Sequence, residues 1–378
     1  MAWYNDANKF YKDLKIMKKI LSIVGARPQF IKSAPLSKEI RKHFTEILVH
    51  TGQHYDQNMS PIFFEELSIA EPDYNLEIGS GGHGEQTGKM LIELEKVLIK
   101  EKPHMVLVYG DTNSTAAGAL AAAKLHIPVA HVEAGLRSYN RTMPEEINRV
   151  LADHLSELLI CPTETAVRNL KKEGITKGVY NAGDVMYDAL IVNRKVAENK
   201  SKILETMNLR PKTYLFATIH RAENTDDKGN LKNIIEAFRQ SKEIIVFPAH
   251  PRTQKMLKEY NLKLSSNLKI IEPVGYLDSL QLQTNSKKVL TDSGGVQKEA
   301  YILKVPCITL REETEWVETV DDGWNVLVGA DKKKILRAIA DLNPEDKQHT
   351  YFGTGNSASR ITKILVDYFK VMSLSNHE

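Results

Sequence analysis

Short apolar runs alternate with longer amphipathic stretches along most of the chain. KILSIV (19–24), TEILVHT (45–51), HMVLVYG (104–110), PVAHV (128–132) and ELLIC (157–161) are rich in Val, Ile and Leu, and stretches of ten or more residues separate them. Continuous apolar runs, rather than alternating ones, mark strands covered on both faces, so this pattern predicts a parallel sheet with crossover helices. The pattern repeats in YLFATI (214–219), EIIVFP (243–248), LKIIEP (268–273), KVLTD (288–292) and PCITL (306–310). The predicted fold class is α/β, with two Rossmann-like, doubly wound domains facing across a cleft. No Gly/Ser-rich linker divides the halves. The boundary falls where GDVMYDAL (183–190) follows the last strand of the first half, giving an N-terminal domain over 1–185 and a second domain over 186–356. SASRITKILVDYFK (357–370) reads as a closing helix. Ligands of such folds bind outside the carboxyl ends of the strands, so the residues that follow each strand are the candidates for chemistry.

Composition narrows the classes. A length of 378 residues suits two domains, and 42% hydrophobic with 26% charged residues is the profile of a globular protein with full cores. A net charge of +3 argues against nucleic-acid and membrane surfaces but leaves room for a local basic site for an anion. Cys161 and Cys307 are the two cysteines and each ends an apolar run. They read as free core thiols, in keeping with a reducing cytoplasm. The 12 histidines show no HExxH spacing, and no metal is expected. The first 18 residues lack the apolar core of a signal peptide, and no apolar run is long enough for a transmembrane helix. Residues 1–16 read as an extension.

The first strand runs into GARPQFIK (25–32), which is not the GxGxxG of a dinucleotide fold. Gly25 permits a tight turn, and Arg27 and Lys32, with backbone N–H groups at a helix start, suit a phosphate. The alternative for Arg27 is a surface pair with a carboxylate. In YGDTNSTAAGALAA (109–122), Asp111 follows a strand directly; it either reaches the cleft or caps an Ala-rich helix, for which Thr112 and Asn113 also serve. HVEAGLRSYNRTMPEEINR (131–149) places Glu133 after another strand. Pro144 opens a helix with Glu145 and Glu146 in its first turn. The predicted apolar stripe is Ile147, Val150, Leu151, Leu155 and Leu158, with Glu145 and Arg149 on the opposite face, either as a solvent salt bridge or turned toward Glu133 and Asp111. Three carboxylates at strand ends suggest proton chemistry.

In the second half, TIHRAEN (218–224) sets His220 and Arg221 after a strand, and AHPRT (249–253) adds another His and Arg. TDSGGVQKEA (291–300) is the most specific motif. Its turn opens a helix, so Ser293, Gly294 and Gly295 offer a hydroxyl and backbone N–H groups to an anion. Glu299 can accept from ribose hydroxyls. Tyr276, in EPVGYLDS (272–279), sits either beside a base or in the core.

Taken in order, GARPQFIK, TGQHYDQNM, YGDTNST, HVEAGLRS, MPEEINR, HRAEN, HPRT, EPVGYL and TDSGGVQKEA resemble the motif series of the non-hydrolysing UDP-N-acetylglucosamine 2-epimerases, from residue 19 to about 329. The resemblance implies the glycosyltransferase-B architecture, with the last helix (357–378) crossing back to the first domain, a homodimer, and no metal or nicotinamide. It implies that Arg27, His220, Ser293 and the Gly294 and Gly295 amides contact the diphosphate, that Glu299 binds ribose, and that Tyr276 lies in the uracil-binding stretch. Asp111, Glu133, Glu145, Arg149 and His220 match the catalytic group. The implied reaction eliminates UDP across C1–C2 to a 2-acetamidoglucal, then adds it back with a proton delivered to the opposite face. Carboxylates near C2 and a cationic clamp on the leaving diphosphate are what that chemistry requires.

The sequence departs from the family in two places. Family members with an allosteric UDP-N-acetylglucosamine site use a Gln-His pair, here Gln53 and His54, and a downstream basic residue; the segment NLEIGSGGHGEQTGKM (75–90) reads as a Gly-rich flexible loop without Arg. Several motifs also resemble the branch acting on UDP-2,3-diacetamido-2,3-dideoxyglucuronate, whose sugar carboxylate needs another cation, with Lys298 and Arg137 as candidates. UDP-N-acetylglucosamine ranks first as substrate. The rivals are a glycosyltransferase of the same architecture, a hydrolysing epimerase and a non-catalytic UDP-sugar sensor.

Overall fold

The computed structural model describes residues 17–53, 70–345 and 347–375; the 1–16 extension and His54 lie outside the described residues. The chain divides into two compact units, one running to Val185 and resuming at Asn356, the other spanning Met186–Gly355.

Among the described residues, the first unit holds β1 (Lys19–Val24), β2 (Thr45–His50), β3 (Tyr74–Asn75), β4 (Met105–Tyr109), β5 (Val129–Val132), β6 (Leu158–Cys161) and β7 (Val179–Asn181), in the order β3-β2-β1-β4-β5-β6-β7. The second holds β8 (Tyr214–Thr218), β9 (Ile244–Pro248), β10 (Leu268–Ile271), β11 (Val289–Thr291), β12 (Cys307–Thr309) and β13 (Asn325–Leu327), in the order β10-β9-β8-β11-β12-β13. Every described pairing is parallel. Each unit is thus a doubly wound α/β sheet, as the alternating pattern predicts. The strand order reverses between β1 and β4 in one and between β8 and β11 in the other, which are the switch points where such sheets bind ligands.

The ten predicted strands all form. The pattern missed β3, β7 and β13, which are two or three residues long and lie at sheet edges. An edge strand is covered on fewer sides, and with Tyr180 of β7 exposed there is no apolar run to read.

Two helix expectations are corrected. The segment 75–90 is not a loop throughout: a helix, His83–Glu101, begins inside it and buries Gln86, Met90, Leu94, Val97 and Leu98. Its apolar positions come after the glycines, so the Gly-rich start hid its first turns. In the helix Pro144–Leu155, Ile147 is 57% and Leu151 36% exposed, while Glu146, Arg149, Ala152 and Asp153 are buried. The predicted apolar stripe therefore does not supply the packed face. The face that packs is largely polar, and each of its charged groups has a hydrogen-bonding partner, which lifts the penalty on burying it.

The Ala-rich helix Asn113–Lys124 lies close on its sheet at Gly118, where a Cβ would come within 2.7 Å of Ile23 and 3.1 Å of Val108. The C-terminal helix Ser357–Ser375 packs on the first unit: Phe369 stacks on Phe44 with ring centroids 5.5 Å apart, and Arg360 donates to the Asn181 carbonyl at 2.7 Å.

Candidate active site

In the first unit, the candidate residues gather at the ends of β1, β4 and β5. Gly25 follows β1. It is needed for space rather than for a turn in the left-handed region, since a Cβ there would lie 1.9 Å from Ser114 Oγ and 2.3 Å from Thr51 Oγ1. Of the amides around this helix start, those of Gly25 and Ala26 are not open to a phosphate. Gln29, the third residue of the helix Arg27–Ile40, turns its side-chain carbonyl back to accept from both, at 2.8 and 3.1 Å. Its amide nitrogen donates to the Tyr109 carbonyl at 2.7 Å, tying the end of β1 to the end of β4. Arg27 is the first helical residue and half-buried.

Lys32 pairs with Glu133 rather than standing ready for an anion. Glu133 is buried at 6% exposure and holds a φ of +75°. That conformation strains a non-glycine residue by about 1–3 kcal/mol, and such strain concentrates at functional positions. Gly110, with φ +62°, turns the chain after β4; a Cβ there would sit 3.1 Å from Glu133 Oε2 and 3.7 Å from Lys32 Nζ. Glu133, Lys32 and the residue before Asp111 therefore share one small space.

Asp111 accepts from Arg149 Nη2 at 2.6 Å, and its backbone carbonyl accepts from Asn148 at 2.9 Å. Thr112, not Asp111, caps the following helix. Asp111 keeps 31% side-chain exposure and Arg149 only 2%. The sequence paired Arg149 with Glu145, but its helical partner is Glu146, from which Nη1 lies 2.7 Å. Glu145 stays half-exposed. Glu146 also accepts from the backbone of Ser138 and Tyr139, each at 2.9 Å. Burial pushes its carboxyl pKa up, but the bonds from Ser138 and Arg149 outweigh burial and hold it below the usual carboxylate range. The signal for Glu146 was its i,i+3 spacing to Arg149.

Behind these residues is a network that the sequence reading did not find. His131, within β5 and fully buried, lies 2.7 Å from Asp153 Oδ1 through Nδ1 and 2.7 Å from the Gly110 carbonyl through Nε2. Arg137 donates to Asp153 at 2.7 Å and forms two 2.7 Å bonds to Glu173. Gln53, proposed for a second site, uses its side-chain carbonyl to accept from Ser114 N and Oγ at 3.0 and 2.7 Å, and so braces the start of the helix Asn113–Lys124.

The second unit presents its own group at β8 and β11. Asp292, fully buried, accepts from the backbone N–H of His220 and Arg221 and from the Asn224 amide at 3.1 Å. His220 Nδ1 lies 3.3 Å from Asp292, with nearly half of its side chain exposed. Asp292 was legible only as a neighbour of Ser293. Ser293 is the N-cap of the helix Gly294–Ile302, its hydroxyl accepting from Val296 N at 3.5 Å. Gly294 is buried, and a Cβ there would meet Glu315 Oε1 at 2.0 Å, whereas Gly295 is exposed with nothing nearer than 3.8 Å. Glu299 is buried and accepts from Gln283 at 2.9 Å. Tyr276 starts the helix Tyr276–Asn285 and is buried at 7% exposure. Of the two cations considered for a sugar carboxylate, Arg137 is committed to Asp153 and Glu173, and Lys298 is fully buried with its ammonium 4.1 Å from the Trp316 ring centroid. Among the described residues no cluster of His, Cys, Asp and Glu could hold a metal ion, and no helix is long and apolar enough to cross a membrane.

Comparison with known proteins decides the family. The profile described as UDP-N-acetylglucosamine 2-epimerase matches residues 38–366, most of the chain. The chain belongs to the UDP-N-acetylglucosamine 2-epimerase family. Within it, the chain is 63% identical over 353 residues to a UDP-N-acetylglucosamine 2-epimerase homolog of Methanococcus maripaludis, covering 92% of this chain and 99% of the relative. It is 50% identical over 359 residues to the UDP-2,3-diacetamido-2,3-dideoxy-D-glucuronate 2-epimerase of Pseudomonas aeruginosa, covering 92% and 99%. The crystal structure of Methanocaldococcus jannaschii UDP-GlcNAc 2-epimerase in complex with UDP-GlcNAc and UDP is similar with a TM-score of 0.87 and 52% identity, over 92% of this chain and 99% of that one. The family recognised from the motif series is therefore the correct one.

Proposed function

We propose that the protein inverts C2 of a UDP-N-acetylhexosamine, interconverting UDP-N-acetylglucosamine and UDP-N-acetylmannosamine without hydrolysis. The observation that carries this reading is the pair of carboxylates flanking Gly110, Asp111 on Arg149 and Glu133 on Lys32, in a chain of this family.

The C2 hydrogen has no adjacent carbonyl, so simple deprotonation and return is not available. A carboxylate takes the C2 proton as the C1–O bond to UDP breaks, leaving a 2-acetamidoglucal and UDP. UDP then adds back at C1 while C2 receives a proton on the opposite face. No electrons change hands, so the step asks for no nicotinamide, and in this reading protein cations and amides meet the charge on the leaving diphosphate. In this reading Asp111 and Glu133 act near C2 with Glu145 as the third acid, and Arg149 and His220 support the developing charge. Arg27, the Ser293 hydroxyl and the Gly294 and Gly295 amides hold the diphosphate, Glu299 the ribose and Tyr276 the uracil. Lys32 serves through Glu133, setting its charge and direction.

The commitment of Arg137 and Lys298 inside their own units supports the neutral N-acetylhexosamine over the diacetamido-uronate. A homodimer in the cytoplasm belongs to the same reading, checked by sedimentation of the purified chain and by cell fractionation. The deciding experiment is proton NMR with UDP-N-acetylglucosamine in D₂O. UDP-N-acetylmannosamine with deuterium at C2 and UDP still attached is the expected product. Free UDP with free sugar would move the protein to the hydrolysing class. Silence with this sugar and turnover of the diacetamido-uronate would reassign the substrate, and silence with both would leave a transferase or a sensor.

A further inference from the structure

His131 makes two short contacts, and both partners are acceptors. The Gly110 carbonyl, 2.7 Å from Nε2, has no proton to give. Asp153, 2.7 Å from Nδ1 through Oδ1, accepts through its other oxygen from Arg137 at 2.7 Å and from the Gly135 amide at 3.1 Å. A neutral imidazole carries one N–H and can satisfy only one of the two partners, while an imidazolium satisfies both. Asp153 stands between the two side chains, with Oδ1 toward His131 and Oδ2 toward Arg137, while the other side of the Arg137 guanidinium pairs with the solvent-exposed Glu173. The other ionisable neighbours do not upset this arrangement. Burial and the proximity of Asp153 push the Cys161 thiol up, so it stays neutral, and Glu133, two residues along the chain, has Lys32 as its cation. Arg137 and the Gly135 amide both donate to Asp153, which favours its ionised form.

We propose that His131 is an imidazolium that positions the acid–base group, with one N–H fixed by Asp153 and the other clamping the carbonyl of Gly110, the residue before Asp111. The Gly110–Asp111 peptide is the joint at which the turn after β4 is aimed, and His131 itself lies two residues before Glu133. One buried ring thereby ties the two carboxylates to the same frame. His131 touches no substrate and is a positioning residue. The inference rests on the proposed role of Asp111 and Glu133, but the charge on the ring does not depend on it.

The test uses the full chain labelled with ¹⁵N-histidine and long-range ¹H–¹⁵N NMR, the His131 signals being assigned by their loss in His131→Gln. Both ring nitrogens of His131 are expected to show protonated signatures in the folded protein at neutral pH. An unprotonated signature at either nitrogen at neutral pH overturns the proposal, whether the proton is then on Asp153 or absent. Glutamine can donate to one of the two acceptors but not both. His131→Gln should therefore lower turnover by about ten- to a hundredfold, as loss of a group supporting a catalytic residue does, with UDP affinity kept within about twofold. Unchanged turnover in a folded variant overturns the positioning role. Should that variant not fold, His131→Asn serves for both the assignment and the turnover; should the wild type epimerise no sugar, the nitrogen signature decides alone, so failure of this inference stays separate from failure of the proposed activity.

Discussion

Arg149 holds two carboxylates at once, Asp111 at 2.6 Å on one amino nitrogen and Glu146 at 2.7 Å on the other. The two acids differ in setting. Glu146 is buried and accepts from backbone amides, while Asp111 remains partly exposed beyond the guanidinium. A planar fork can bind both carboxylates in fixed directions, which a lysine could not. The buried acid locks the arginine, and the locked arginine aims the exposed acid.

The first prediction concerns Asp111. Asp111→Asn keeps the size and the backbone contact to Asn148 but removes the acid–base group. Turnover should fall by two or more orders of magnitude, in the range of a lost general acid or base, while UDP binding by calorimetry stays near normal. Turnover close to wild type would remove Asp111 from the catalytic group.

Glu146 makes stability depend on acid. Its folded carboxyl is held below its unfolded value, so its contribution is complete above about pH 4.3 and is lost as pH falls through the folded value. Glu146→Gln should lower Tm at neutral pH, and its Tm should fall less than that of wild type as pH drops below about 4.3. Parallel Tm curves for the two proteins would contradict the depressed carboxyl.

Adjacent glycines should answer differently to alanine. At Gly294 the added methyl would lie 2.0 Å from Glu315, which is itself held by Arg311 at 3.0 Å, so Gly294→Ala should destabilise by about 1–3 kcal/mol through overpacking. Gly295→Ala meets nothing closer than 3.8 Å and should stay within about 0.5 kcal/mol of wild type, as an ordinary surface change does. Its UDP affinity should nonetheless drop, because the methyl covers the amides assigned to the diphosphate. Unchanged affinity in Gly295→Ala would place the diphosphate elsewhere.

Both thiols should be inert in the native protein. Burial pushes Cys307 up to about 12, and burial with Asp153 nearby pushes Cys161 higher still. A neutral thiol reagent should modify neither at pH 7.5 and both after denaturation. Rapid native labelling of either one would contradict its burial.

The candidate site was legible in part. Strand ends pointed to Asp111, Glu133, His220 and Ser293 because a doubly wound sheet sends its ligands there. The same logic could not find Gln29, which takes up the Gly25 and Ala26 amides beside the helix start, or Asp292, which looks like a turn residue until His220, Arg221 and Asn224 converge on it. Hydropathy chose Glu145 and an apolar stripe on the helix Pro144–Leu155. The packed face is instead Glu146, Arg149 and Asp153, since a polar face whose charges are all hydrogen-bonded can be buried as readily as an apolar one.

By itself the sequence determined the ten principal strands, the division into two doubly wound sheets and the family. Those follow from period, apolar run length and turn residues, which act over a few positions of chain. Only the tertiary structure decided which charges meet. Lys32 and Glu133 are 101 residues apart, Arg149 and Asp111 are 38 apart, and His131 and Asp153 are 22 apart. Those pairings depend on which strand lies beside which and on how far each helix is rotated on its sheet. Hydrophobic periodicity reports that rotation only when the packed face is apolar, and on the helix Pro144–Leu155 it is largely polar.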